Sequence, residues 1–102
     1  MSKHYFETDI AVQLGVNAAL IYEHIRYWCE HNEAAEKNYH DGYFWMYSSG
    51  NALHDQFPYL TEGAIRTALH KLEDAGYIKK GNYNNTAMNR TLWYADAKKV
   101  NT

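Results

Sequence analysis

Residues 61–78 read TEGAIRTALHKLEDAGYI, and this stretch decides the fold. Thr61 stands where a helix needs an N-cap. Glu62 puts a carboxylate beside the free N–H groups of the first turn, where the helix dipole favours it. Ile65, Ala68, Leu69 and Leu72 then recur at spacings of three and four, the period of one helix face. Gly76 follows at the place of a left-handed C-terminal cap. Tyr77-Ile78-Lys79-Lys80 changes to strand-like composition. A capped helix therefore leads at once into a strand.

On the N-terminal side, Phe57-Pro58 marks a stop, because proline disfavours helical geometry in the residue before it. Ahead of it, Ser48 or Ser49 caps a short helix with Ala52, Leu53 and Phe57 on its apolar side. Tyr43-Phe44-Trp45-Met46-Tyr47 is expected as an aromatic strand, after a turn over Asn38 to Gly42 that Asp41-Gly42 signals. Upstream, an amphipathic helix is expected from Ala18 to about Lys37, with Asn17 as its cap. Leu20, Ile21, Ile25, Trp28 and Cys29 form its buried stripe, and Tyr22, Glu23, Arg26, Glu30 and Glu33 fall between them. Glu33 and Lys37 have the spacing of an i,i+4 pair. Asp9 to Leu14 reads as a short first helix that stops at Gly15. Downstream, Gly81 to Asn89 is a polar, asparagine-rich loop, and Arg90 to Ala95 returns as a second strand.

The order is helix, helix, strand, helix, tight turn, helix, strand, loop, strand. It predicts a mainly α domain with a small β hairpin, a winged helix-turn-helix. The helix pair covers about 48–75 and the wing about 77–95. A hairpin is marginal alone in water, so its apolar face must pack on the helices. Its tip is expected to project beside the second helix of the pair, so that helix and wing can reach one duplex.

Composition agrees with a single domain over residues 1–102. The chain has 102 residues, is 46% hydrophobic and holds one proline, which excludes disordered and collagenous classes. Its one cysteine, Cys29, makes no internal bridge and fits a reducing compartment. The apolar runs are far shorter than the ~18 residues of a membrane span, and the opening residues carry no apolar signal region. A cytoplasmic protein with no membrane partner is expected. Aromatic content is 16%, with ten tyrosines, which suits both a shallow core and partner surfaces. Net charge is −2, but it is polarised. Residues 1–60 hold three Lys or Arg against eight Asp or Glu, net −5, whereas 61–102 hold seven against four, net +3. The C-terminal end is therefore the one expected to face an anion.

The run FPYLTEGAIRTALHKLEDAGYIKKGNYNNTAMNRTLWYA, residues 57–95, resembles the winged-helix domain at the start of many bacteriophage replication-initiation proteins, the replisome-organiser group. The upstream run LIYEHIRYWCEHNEAAEKNYHDGYFWMYSS, residues 20–49, is similar to the same group in its long helix and aromatic strand. The resemblance covers roughly residues 9–95. It implies sequence-specific duplex DNA binding, in replication initiation or transcriptional regulation, within a bacterial host cell. Members of that group usually continue into a second domain that binds other replication proteins, whereas this sequence runs to Thr102. That departure raises a rival expectation: a small phage protein-binding module that inhibits a host replication or defence protein.

The candidate DNA-binding residues follow from place and chemistry. On the 61–75 helix, Gly63, Arg66, Thr67, His70 and Lys71 lie off the apolar face. Arg66 is suited to a bidentate contact with guanine, and Thr67 to a thymine methyl or a phosphate. Lys79, Lys80, Asn82, Tyr83, Asn84, Asn85 and Arg90 lie in the wing, where basic residues meet phosphates. Ser48, Ser49 and Asn51 open the first helix of the pair, whose free N–H groups can receive a phosphate. Ordinary solvated faces, turn asparagines and capping serines are the competing explanations for all of these. Many helix-turn-helix proteins bind as dimers to two half-sites, so a homodimer stays open. Tyr22, Tyr27, Tyr39 and Tyr43 are the candidates for a partner surface, and Glu23, Glu30, Glu33 and Glu36 for contact with a basic host protein. Cys29-Glu30-His31 is not a zinc-ligand pair, so no metal or other cofactor is expected. No nucleophile elbow or phosphate-cradling glycine loop occurs, so the expectation is a non-enzyme.

Overall fold

The computed structural model describes residues 3–86 and 91–98. Among them the order is α1 (Thr8–Leu14), α2 (Val16–Ala34), β1 (Tyr39–His40), β2 (Tyr43–Ser48), α3 (Gly50–Gln56), α4 (Glu62–Asp74), β3 (Ile78–Gly81) and β4 (Leu92–Asp96). The four helices pack with a small antiparallel sheet of order β1-β2-β4-β3. The last strand thus lies between the first long strand and β3, so the expected hairpin is the outer part of a wider sheet. Within described residues, no helix is long and apolar enough to cross a membrane.

The helix ends show why some boundaries differ from expectation. Gly15 holds φ at 97°, a conformation only glycine enters cheaply, and it separates α1 from α2. The long helix therefore starts at Val16 rather than Ala18, and Asn17 is inside it rather than its cap. It ends at Ala34, three residues before Lys37. Glu36 turns left-handed (φ 55°), its N–H donates to the Glu33 carbonyl, and the Lys37 N–H donates to the Asn32 carbonyl at 2.8 Å. Lys37 has left the helix, so helical spacing no longer sets it above Glu33. Asp41 and Gly42 both have positive φ and join β1 to β2, as a two-residue hairpin turn requires.

One face of the sheet closes the main core. Ile21 and Ile25 of α2, Leu53 of α3 and Phe57 at its end, Leu72 of α4 and Ile78 of β3 are buried there with Met46 and Tyr94. Two expectations about α2 change. Trp28 lies at the rim, 40% exposed, and Tyr22 is buried instead. The Tyr22 hydroxyl donates to Asp96 Oδ1 at 2.8 Å, tying α2 to the end of β4. Burial, then that carboxylate, holds the phenol protonated. Cys29 is also buried, its Sγ donates to the Tyr94 carbonyl, and burial pushes its thiol up to about 11.

The other face of the sheet carries a second apolar cluster. Trp45, Trp93 and Ala95 are buried, with Tyr43 and Tyr83 packed against them. Residues on alternate positions of a strand share a face, so Trp45 and Trp93 point away from Met46 and Tyr94. Tyr83 covers them: its ring stacks on His40 at 4.3 Å and 10°, and its hydroxyl donates to Asp41. Burial, then that hydrogen bond, pushes the phenol up to about 12. The approach is close at Gly81, where an added Cβ would sit 2.8 Å from the Trp45 ring and 2.9 Å from Tyr83. Gly81→Ala is expected to destabilise by ~1–3 kcal/mol, the usual cost of overpacking. Gly63→Ala, whose added Cβ meets nothing nearer than 4.0 Å, should be neutral or gain up to ~1 kcal/mol. Urea melts followed by tryptophan fluorescence compare the two; equal midpoints would remove the close approach.

The N-terminal arm packs over Phe57. The His4 ring lies 4.7 Å from it, and His24 of α2 meets the same ring edge-on at 5.4 Å. Burial, then the neighbouring His4, lowers the His24 imidazole from 6.5 to about 4. A depressed histidine binds its proton more readily in the unfolded chain, so stability is full above 6.5 and falls as pH drops towards 4. With part of the ring still wet, the loss is on the order of 2 kcal/mol. Denaturation at pH 7 and pH 4.5 measures it, and His24→Gln should shrink the difference.

Candidate nucleic-acid interface

Local chemistry fixes the helix pair. Of the two serines, Ser49 is the cap: its Oγ accepts from the Ala52 N–H at 3.0 Å, while Ser48 Oγ donates to the Ser49 carbonyl. Phe57 ends α3, and the Leu60 N–H donates to its carbonyl at 3.0 Å, closing the turn. Thr61 Oγ1 then accepts from the Ala64 N–H at 3.0 Å, and Glu62 sits in the first turn. At the far end the Tyr77 N–H reaches back to the Leu72 carbonyl at 2.9 Å across left-handed Gly76. Both ends of α4 are therefore held as its sequence suggests.

This helix buries Ile65, Ala68 and Leu72, and Leu69 lies half-buried at the edge of that face. Gly63, Arg66, Thr67, His70 and Lys71 are exposed. They stand on a ridge between two grooves, and Arg66 lines both. The first groove, about 420 Å³, runs between α3, α4 and the sheet. Asn51, His54, Arg66, His70 and Lys80 bring polar groups to it, over a floor that includes Leu53, Ile65 and Leu92. The second, about 540 Å³, separates α4 from the α1–α2 junction and holds Gly63, Thr67 and Lys71. Lys71 Nζ lies 3.4 Å from the Leu14 carbonyl there. Glu62 and Glu73 also line the first groove and offset the charge of Arg66 and Lys80. His54, Glu62 and Glu73 were not among the expected contact residues; Glu62 stands four residues before Arg66 and Glu73 three after His70, and that helix spacing was the available signal for the glutamates.

The remaining candidates lie elsewhere. Lys79 and Lys80 are adjacent in a strand and point to opposite faces. Lys80 borders the α3–α4 groove, whereas Lys79 sits 4.8 Å above the Tyr43 ring on the outer face. Tyr83 is fixed on that outer face. Asn84 is tied there too: its Oδ1 accepts from Trp93 Nε1 at 2.8 Å and its Nδ2 donates to the Thr91 carbonyl at 3.0 Å. Asn82 accepts from the Asn84 N–H at 3.1 Å, and Asn85 is exposed in the same loop. Tyr83 and Asn84 are thus tied to the outer aromatic cluster, and residues 87–90 of the expected wing lie outside the described residues. Ser48 lines a separate groove between α2, β2 and α3. Arg90 lies outside the described residues.

Of the four tyrosines considered for a partner surface, Tyr27 and Tyr39 are exposed, Tyr43 is half-buried and Tyr22 is in the core. Among the described residues, no three His, Cys, Asp or Glu side chains are grouped to hold a metal ion. No family model, curated protein or solved structure matches this chain.

Proposed function

We propose that this protein is a winged helix-turn-helix domain that binds duplex DNA by laying α4 in the major groove, as a non-enzymatic phage or mobile-element protein of the replication-initiation or regulatory kind. The observation that carries the reading is the ridge of α4. Arg66, Thr67 and His70 stand exposed on it, with Asn51 and Lys80 beside them from two other elements. The order helix, helix, strand, strand, helix, turn, helix, strand, strand supports it, as does a sheet in which the last strand lies between the other two long ones. Arg66 reads a base, Lys80 and Lys71 meet phosphates, and the outer-face residues Lys79, Tyr83 and Asn84 stay off the DNA.

Because Glu62 and Glu73 share the groove with Arg66 and Lys80, base contacts have to supply a large share of the affinity. Selection of duplexes from a random pool, followed by anisotropy on the winners, tests this. One preferred sequence is expected, and Arg66→Ala should relax it at a single base position by ~1–3 kcal/mol. Enrichment of no sequence would contradict base reading by this helix. Sedimentation of the complex tells one copy per site from a dimer on two half-sites.

A second reading, a protein-binding module in a bacterial host, draws on α2. Tyr27 and Trp28 are exposed there in sequence with Glu30, in the acidic part of the chain.

A further inference from the structure

We infer that the aromatic hollow between the N-terminal arm and α2 binds an alkylammonium group, carried by a lysine or methyl-lysine side chain of a partner protein or by a free amine. The hollow, about 320 Å³, shares no lining residue with the α3–α4 groove. Its walls are rings. Tyr27 and Trp28 stand at 89° with centroids 5.4 Å apart, two adjacent sides of a cage. They remain 59% and 40% exposed, and Tyr5, on the same lining, is 70% exposed. Rings of this size left open side by side carry negative π faces, and a cation within about 6 Å of such a face is attracted to it.

Glu23 brings a carboxylate to the hollow: its Oε1 accepts from Arg26, while Oε2 is buried with no hydrogen-bond partner. Arg26 also donates to Glu7 at 3.1 Å, and neither of these two lines the hollow, whose charged side chains are Glu23 and Lys3. A buried carboxylate oxygen without a donor is costly, and a nearby positive charge offsets part of that cost. His24, edge-on to Trp28 at 6.5 Å, adds a ring to the same lining. Burial keeps this imidazole neutral at physiological pH, so it does not repel a cation. Lys3 is the lining's own ammonium and the natural competitor.

Two-dimensional NMR of the whole 102-residue protein, titrated with tetramethylammonium chloride against matched sodium chloride, tests the assignment. Trp28 is the accessible tryptophan, since Trp45 and Trp93 are 2% and 8% exposed. Its indole N–H and the Tyr27 amide should shift and saturate, while those of Tyr39, Tyr47 and Tyr59 stay in place. Trp28→Ala and Tyr27→Ala should each weaken binding by about fivefold or more. Glu23→Gln should weaken it, and Lys3→Ala should tighten it. Circular dichroism melts confirm that each variant is folded. A peptide with one central trimethyllysine that displaces tetramethylammonium, where its norleucine counterpart does not, assigns the source to a protein; no displacement assigns it to a free amine. A Trp28 signal that does not move beyond the sodium control, or equal shifts at every exposed tyrosine, would overturn the site.

Discussion

Leu72→Ala is expected to cost about 3–5 kcal/mol, the upper part of the range for buried leucines. Leu72 is fully buried in the main core. Truncation removes the side chain from a small core and leaves a cavity that few neighbours can fill. The same residue's carbonyl receives the Tyr77 N–H that closes the helix, so loosening there reaches the start of β3. Leu69, three residues earlier, gives the internal control. It is only half-buried at the groove edge, so Leu69→Ala should cost less than about 2 kcal/mol, below the full-burial range. Against a typical domain stability of ~5–15 kcal/mol, the two are well separated in urea melts. Equal losses would mean that α4 is rotated on its axis, and with it the ridge that bears Arg66.

The pair also shows what the sequence disclosed and where it stopped. A four-residue apolar face identified α4, but Leu69 and Leu72 are indistinguishable by period alone; which one is enclosed depends on how α4 lies on the core. Both ends of α4 were legible because Thr61 and Gly76 have side chains, or lack them, for a local backbone reason. The end of α2 was not, because Glu36 occupies the left-handed position that glycine usually marks. Tyr22 had no local cue either, since its partner Asp96 is 74 residues away.

In β2 the aromatic run predicted a strand, yet aromatic residues on both faces hid the alternation that separates core from surface. The outer cluster depends on Tyr83 reaching His40 and Asp41, a contact across 42 residues. That contact, not the local sequence, sets where Tyr83 lies. By contrast, the split of Lys79 from Lys80 follows from strand period and was available once β3 was recognised. Arg66 and His70 came from helix period in the same way, and only Lys80 and Asn51 needed the folded chain to bring them alongside.

Electrostatics give the second large effect, because duplex binding is steep in salt. Of the three cations that border α4 in the described structure, Arg66 is given to a base, which leaves Lys80 and Lys71 for phosphates. If each lysine neutralises one phosphate, log affinity falls with log salt at a slope of roughly −1.8. Binding should then weaken ~12-fold between about 50 and 200 mM salt. Lys80→Ala should weaken every duplex alike and flatten the slope by about one unit. Lys79→Ala, on the outer face over Tyr43, should leave both slope and affinity in place.

Fluorescence-anisotropy titration of the selected duplex across that salt range, on the native protein and these two lysine variants, tests DNA binding through α4 most directly. The expected result is a slope of roughly −1.8 that falls to about −0.9 for Lys80→Ala alone. No binding to any duplex at about 50 mM salt by folded protein, or equal losses from Lys79→Ala and Lys80→Ala, would contradict it.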